Sequence, residues 1–212
     1  MSEDKHKFHA PENVFTRPVG NIFDFYLNSN IEGPDKYVEW NHIIRSSTER
    51  DIIYLHINCY GGDVMTSIQL MRAMAESQAQ IIASVEGACM SAATFLFLIA
   101  DSFEISEHSM FMFHNYSGFS FGKGNEMRDQ IHHEDKWSRH LLDSIYEDFF
   151  SPEEINSIAD GKDFWMTPDE VQVRLESRAK KYEDKLAAEE SKLAAEESKL
   201  AVETKKAKRK TA

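Results

Sequence analysis

Ser91 is the residue whose neighbours best suit a nucleophile. It lies in the segment Gly87-Ala88-Cys89-Met90-Ser91-Ala92-Ala93, within a largely apolar run that reaches Ala100. Gly87 permits a tight turn out of the apolar strand that precedes it, and the following run has the length of a buried helix. Ser91 is therefore predicted near a helix N-terminus, where free backbone N–H groups and the helix dipole favour an oxyanion.

A nucleophilic serine needs a base, and the base needs a group that orients it. His114 stands at the end of the apolar segment Ser109-Met110-Phe111-Met112-Phe113, and it is the only histidine flanked in this way. Asp163 comes later in the chain, and Asp160 competes with it for the third role. Taken singly, Ser91 could be a small residue at a crowded helix start, His114 a core histidine and Asp163 a loop residue or cap.

Four motifs in order resemble those of ClpP, the proteolytic subunit of the Clp protease. In that family a strand ending in I-N-S-P-G-G precedes G-x-A-A-S-M-G-A-F-L-L, then M-I-H-Q-P, then D-R-D-x-F. The corresponding segments here are Ile57-Asn58-Cys59-Tyr60-Gly61-Gly62, the segment around Ser91, Met112-Phe113-His114-Asn115 and Asp160-Gly161-Lys162-Asp163-Phe164. The resemblance covers about residues 20 to 172, and it rests on the order and spacing of all four motifs.

The resemblance implies an α/β protein with the ClpP/crotonase-like fold, made of repeated β-β-α units with a mostly parallel sheet and a protruding handle helix. It implies Ser91 as nucleophile, His114 as base and Asp163, in preference to Asp160, as third member. The N–H groups of Gly62 and Ala92 would form the oxyanion hole. An extended polypeptide would pair as an added strand between two segments, Asp63 and Val64 on one side and Tyr116, Ser117 and Gly118 on the other.

The resemblance also implies a homo-oligomer, two stacked seven-membered rings around a closed chamber. The helix predicted over Asn125 to Phe149 matches the position of the family's handle, through which the rings meet. Its apolar stripe could serve the core or a ring contact, and we expect core for most members: Trp137, Leu141, Leu142, Ile145 and Phe149. The chain itself would need no cofactor, because ATP would be used only by a partner AAA+ unfoldase. No metal site is expected, since His132, His133 and His140 lack an H-E-x-x-H pattern.

Several departures from the family leave alternatives open. The S-A-A and H-N forms of the motifs look like those of phage Clp-like peptidases, some of which act on capsid proteins. The axial N-terminal segment that gates the pore is not recognisable before Ile22, which puts docking of an unfoldase in doubt, and the last strand of the family is predicted to be replaced by helix. The main hypothesis is a serine endopeptidase of low sequence specificity. A non-catalytic ring subunit or scaffold, and a crotonase-type enzyme acting on coenzyme A thioesters, are the other two.

The composition indicates which classes of partner and which cellular compartment to expect. The net charge of −12 argues against general affinity for nucleic acid or anionic membranes. Residues 1–175 carry 13 basic and 28 acidic side chains, whereas residues 176–212 carry 11 basic and 8 acidic ones. Two cysteines in predicted core elements, Cys59 and Cys89, indicate a reducing compartment, and a polar N-terminus argues against a secretory signal. We therefore expect a cytoplasmic protein.

The chain divides into three predicted parts. Residues 1–17 form a flexible segment, 18–178 the peptidase domain of alternating strands and helices, and 179–212 a charged helical tail with a basic end. In the tail, Lys185-Leu186-Ala187-Ala188-Glu189-Glu190-Ser191 recurs with a period of seven. A coiled coil needs two apolar positions in each heptad, and this repeat has one leucine in each. A solvated single helix is therefore favoured over an interaction arm.

Overall fold

Six strands and six α-helices alternate along the chain in a computed structural model that describes residues 19–210, with side chains up to residue 193. The strands are β1 (Ile22–Leu27), β2 (Ile52–Cys59), β3 (Gln80–Met90), β4 (Ser102–Ile105), β5 (Met110–Phe113) and β6 (Phe164–Met166). The helices are α1 (Val38–Ser46), α2 (Val64–Glu76), α3 (Ala93–Leu98), α4 (Gly124–Tyr146), α5 (Pro152–Ala159) and α6 (Pro168–Lys210), with a 3-10 turn, Pro34–Tyr37, before α1.

All six strands belong to one sheet, in the order β1-β2-β3-β5-β6, with β4 also paired to β3. Every pairing is parallel except that of β5 with β6, which is antiparallel. β3 is long enough to serve two neighbours, because its first half pairs with β4 and its last three residues pair with β5. The predicted α/β fold with a mostly parallel sheet is confirmed.

The core is formed by one face of the sheet and by side chains from all six α-helices. In β2, Ile53, Leu55 and Ile57 point into it and are almost completely buried, since alternate residues of a strand share a face. The opposite face of β1 to β3 carries polar and aromatic side chains instead. Among them, His56 lies between two carboxylates, with Nε2 3.1 Å from Asp24 and Nδ1 2.7 Å from Glu86.

The prediction of a tight turn at Gly87 is wrong, because this residue lies within β3. β3 runs past the predicted strand end at Val85 and continues to Met90, because its last residues pair with β5. Gly87 is needed for close approach: a Cβ there would lie 2.5 Å from Oδ1 of Asn58. That oxygen accepts the N–H of Ala88 at 3.0 Å, so the Asn58 side chain supplies a bond to β3 where the register of the β2–β3 pairing shifts between Ile57 and Cys59.

The helix predicted from Ser91 to Ile99 begins later, at Ala93, so Ser91 lies in the turn that joins β3 to α3. The segments Ser151-Pro152-Glu153-Glu154 and Thr167-Pro168-Asp169-Glu170 each predict a capping box at a helix start, and both boxes are present. Ser151 accepts the N–H of Glu154, whose carboxylate accepts the N–H of Ser151, and Thr167 and Glu170 exchange the same pair of bonds. These caps fix the starts of α5 and α6.

The helix that matches the position of the family's handle is α4, which begins and ends within a few residues of its predicted limits. In its apolar stripe, Leu142 and Ile145 are buried, as is Phe149 just beyond the helix end. Trp137 and Leu141 are half-buried. The stripe therefore serves the core of this chain at its C-terminal end, in agreement with the prediction.

α6 passes through the predicted boundary at residues 178 and 179 without interruption. Its first half is bound to the body: Arg174 forms a two-pronged pair with Glu154, Arg178 donates to the carbonyl of Leu98 at 2.8 Å, and Lys185 lies 2.7 Å from Asp148. The side chains from 186 to 193 are exposed. The predictions for residues 1–17 and for the side chains of the basic end lie outside the described residues.

Candidate active site

Ser91 occupies a strained turn. Its φ is 55°, a left-handed value that is rare for a residue with a side chain. Its N–H donates to the carbonyl of Met112 in β5 at 2.8 Å, and its carbonyl accepts from the N–H and the hydroxyl of Thr94. A sharp strand-to-helix turn of this kind exposes the side chain of its central residue, an arrangement that suits a nucleophile.

His114 follows β5 directly, and β5 is the strand that pairs with the end of β3. Because parallel neighbours end at the same edge of the sheet, the two catalytic candidates meet there. Nε2 of His114 lies 2.7 Å from Oγ of Ser91, a hydrogen-bond distance. The side chain of His114 is 22% exposed, so the pair is accessible from a cleft.

Asp163 reaches this edge through the one antiparallel pairing. Phe113 pairs with Phe164, so one further step in the register brings Asp163 opposite His114. Oδ1 of Asp163 lies 3.9 Å from Nδ1 of His114, which is beyond hydrogen-bond length but close enough for an ion pair. Within residues 19–193, no other carboxylate, that of Asp160 included, forms an ion pair with His114.

The glycine turn after β2 lies against the nucleophile. Gly61 and Gly62 have φ values of 102° and 144°, and a Cβ on Gly61 would lie 2.6 Å from Cβ of Ser91. The buried residue Ile31 holds this turn through two backbone bonds, donating to the carbonyl of Gly61 at 2.8 Å and accepting from Asp63 at 2.9 Å. Sequence reasoning missed Ile31, because nothing in its local pattern reveals the partner.

The amides predicted to form an oxyanion hole are free of competing acceptors. Neither the N–H of Gly62 nor that of Ala92 donates to a carbonyl or side chain within residues 19–193. An N–H that the protein leaves unused is available to a ligand oxygen. Both N–H groups are near Ser91: Gly62 belongs to the glycine turn that lies against Ser91, and Ala92 is the next residue in the sequence.

Four of the five predicted substrate-binding residues, all except Asp63, line two recesses. Val64 borders a small one beside Ser91, whose other walls include Phe95, Leu141 and Leu142. Tyr116, Ser117 and Gly118 border a larger cleft between the segment after β5 and the first half of α4. The side chain of Asp63 has another role, since it caps α2 by accepting the N–H of Thr66 at 2.7 Å.

Tyr116 is tied to α4. Its hydroxyl donates to Glu134 at 3.2 Å, and its ring packs edge-on against Trp137. Partial burial and the neighbouring Glu134 carboxylate raise the pKa of Tyr116, so the hydroxyl remains a neutral donor. The N–H of Tyr116 donates to Oδ1 of Asn115 at 2.8 Å.

Neither cysteine competes with Ser91 for the role of nucleophile. Cys59 and Cys89 are free thiols on paired positions of β2 and β3, and both are fully buried. Burial raises the pKa of each thiol, that of Cys89 most strongly, and only the thiolate is a good nucleophile. In the described part of the chain, no group of acidic, histidine or cysteine side chains could hold a metal ion.

A mostly parallel α/β sheet that brings a serine on a strained turn against a histidine at its strand ends is typical of proteins with a serine nucleophile. The sequence profile of the Clp protease family matches residues 36–173, which include Ser91, His114 and Asp163. The chain belongs to the Clp protease family. A comparison with curated proteins returned no match. Within residues 19–210, no helix has both the length and the apolar character needed to cross a membrane.

Proposed function

We propose that this chain is a serine endopeptidase that hydrolyses unfolded polypeptides with low sequence specificity. One observation carries the proposal: Nε2 of His114 lies 2.7 Å from Oγ of Ser91, and that serine is held in a left-handed turn. Strained backbone at such a position is retained where function needs it. Membership of the Clp protease family supports the same reaction class.

The mechanism follows from the positions of these groups. Neutral His114 accepts the Ser91 proton at Nε2 while Oγ attacks the peptide carbonyl, and the resulting oxyanion accepts hydrogen bonds from the N–H groups of Gly62 and Ala92. His114 then gives the proton to the leaving amine, and water releases the acyl group by the same steps. Asp163, 3.9 Å from Nδ1, favours the tautomer protonated at that atom and stabilises the imidazolium.

The cleft favours an extended substrate. The segment Tyr116 to Gly118 carries backbone groups along one wall, and Asp63 and Val64 begin the other. Backbone pairing accepts most sequences, which accounts for the low specificity that we propose. The small recess beside Ser91, lined by Val64 and Leu142, takes one apolar side chain of the substrate.

We extend the proposal to a ring-shaped homo-oligomer in which ATP is used only by a partner unfoldase. Two large apolar side chains beside the cleft support burial in an assembly, since Phe119 and Phe121 are 85% and 86% exposed in the single chain. Exposed aromatic pairs of this kind commonly mark contact surfaces. An enclosed chamber would also keep an unselective peptidase from folded proteins.

A fluorophosphonate probe tests the catalytic proposal directly, because it reacts with an activated serine. The wild-type chain should be labelled at Ser91, as identified by peptide mass, and Ser91→Ala should be unlabelled. His114→Ala should abolish labelling while retaining the serine. Labelling of another residue, or equal labelling of Ser91→Ala, would refute the proposal. A folded wild type that takes up no probe and cleaves no peptide would instead support a non-catalytic ring subunit.

A further inference from the structure

The left-handed turn at Ser91 is held by a hydrogen-bonded chain that begins far away in the sequence. The carbonyl of Ser91 accepts two bonds from Thr94, one from its N–H at 2.9 Å and one from its hydroxyl at 2.7 Å. The hydroxyl of Thr94 lies in turn 3.0 Å from the hydroxyl of Tyr146, the last residue of α4. Neither Thr94 nor Tyr146 was singled out by sequence reasoning.

The direction of the hydrogen bonds in this series is determined by the last acceptor, the carbonyl of Ser91. A carbonyl can only accept, so the hydroxyl hydrogen of Thr94 points to Ser91. The oxygen of Thr94 must then accept, and Tyr146 must donate. Burial raises the pKa of Tyr146 well above its ordinary value, which keeps the donor hydrogen in place. The donor sequence is therefore Tyr146 to Thr94 to the carbonyl of Ser91.

Both side chains are shielded from water and rigidly packed. Thr94 and Tyr146 are completely buried. The ring of Tyr146 makes edge contacts with Phe95, Phe113 and Phe150, and Phe113 is the residue directly before His114. Tyr146 thus contacts the ring of Phe113, next to the proposed base, and its hydroxyl reaches the backbone of Ser91 through the hydroxyl of Thr94.

We propose that Thr94 and Tyr146 are positioning residues, which hold the Ser91 turn in register with His114. The proposal rests on Ser91 being the nucleophile. The N–H bond from Thr94 to Ser91 survives the loss of either hydroxyl, so the turn loosens without collapsing. A small displacement of a nucleophile lowers the rate of its reaction while leaving the substrate-binding walls intact.

Two variants remove one hydroxyl each with little change of shape, Thr94→Val and Tyr146→Phe. We expect each to lower both the rate of fluorophosphonate labelling and kcat for a short peptide by roughly 10–100-fold. KM should change little, because no residue of the cleft walls is altered. The double variant should be no slower than Thr94→Val, since both act through one bond to Ser91.

Thr94→Ser and Thr66→Val separate positioning from general packing. Thr94→Ser retains the hydroxyl and should restore the labelling rate of Thr94→Val to near that of the wild type. Thr66 is the matched control, because it is also fully buried and its hydroxyl has no hydrogen-bond partner within the described residues. Thr66→Val should therefore label at the wild-type rate. Melting temperatures and near-ultraviolet circular dichroism ensure that folded protein is compared.

The outcomes are distinct. Wild-type labelling rates in folded Thr94→Val and Tyr146→Phe would overturn the positioning role while leaving the peptidase proposal intact. A rate lost in Thr94→Ser as fully as in Thr94→Val, or a matching loss in Thr66→Val, would also overturn it. A wild-type chain that is itself unlabelled would refute the peptidase proposal, and the positioning role would fall with it.

Discussion

At the scale of single residues, the site combines a tight pair with a loose third member. Ser91 and His114 are 2.7 Å apart, whereas Asp163 stands 3.9 Å from His114 and its side chain is 53% exposed. In the mechanism that we propose, the pair therefore carries most of the chemistry, and the carboxylate acts across a gap partly open to water, where charge interactions are screened. Catalytic hydrogen bonds are often long without substrate and shorten when it binds.

Ser91 and His114 should behave as one unit. Because they share a single proton transfer, Ser91→Ala and His114→Ala should each lower kcat for a fluorogenic peptide on the order of 10⁶-fold, and the double variant should be little worse. Steady-state hydrolysis by the three variants measures this. Multiplicative losses would show that the two side chains act independently.

Asp163 and Asp160 should differ sharply. Asp163→Asn removes the carboxylate that faces His114, so kcat should fall by at most what the base contributes, roughly 10²–10⁴-fold. Asp160→Asn is the matched control, because Asp160 forms the C-terminal cap of α5 and makes no ion pair with His114 in the described residues. Comparable losses in both variants would assign the third role differently.

At the scale of secondary-structure elements, the strands position the candidate site. The polar face of the sheet also carries a titratable side chain, that of His56. His56 in β2 bridges Asp24 of β1 and Glu86 of β3, and its ring stacks on Tyr26. Partial burial lowers the pKa of His56, but the bonds to both carboxylates outweigh it and raise the pKa above the ordinary value.

The stability contributed by His56 should depend on pH. A raised folded-state pKa gives stabilisation that is complete below the unfolded value, about 6.5, and is lost as pH rises through the folded value. The urea midpoint of the wild type should therefore exceed that of His56→Gln by more at about pH 5.5 than at about pH 8.5. The control is His42→Gln, because His42 is exposed and forms no ion pair within residues 19–193. A difference that is constant with pH for His56→Gln would contradict the charge-based account.

At the scale of the whole molecule, the proposed ring predicts the size of the particle in solution. If the family architecture holds, the purified chain should sediment as a ring or double ring well above the 24.4 kDa of the monomer. Sedimentation velocity over a range of concentrations measures this. Replacing Phe119 and Phe121 by serine should weaken association if the two aromatics are covered in the assembly. A monomer that still cleaves peptides would contradict the ring.

The tail should be dispensable beyond its last contact with the body. Deletion of residues 187–212 keeps the bonds of Arg174, Arg178 and Lys185, so peptide hydrolysis should change by no more than about two-fold, as is usual for surface changes. Deletion of residues 176–212 is the contrasting variant. It removes the Arg178 bond to Leu98 at the end of α3, the helix that follows Ser91, and should lower the melting temperature. Lost activity in the shorter deletion would show that the removed part of the tail, Leu193 included, packs against a specific partner.

The sequence alone determined features that depend on residues close together in the chain, and features that follow from the order of several motifs. The capping boxes at Ser151 and Thr167, strands β1 to β5 and the order of the four motifs were readable, because a cap or an apolar period depends on residues a few positions apart. The family and the fold class followed from them. Pairing of Ser91 with His114 was expected on the same basis. The three-residue strand β6 was not predicted.

Only the tertiary structure decided how distant segments meet. The role of Gly87 was misjudged because the obstacle is Asn58, a residue of another strand. The antiparallel register of β6 brings Asp163, and not Asp160, beside His114, and the left-handed turn at Ser91 is supported by Tyr146 on another helix. Register and side-chain packing depend on contacts between residues far apart in the chain, so no local pattern encodes them by itself.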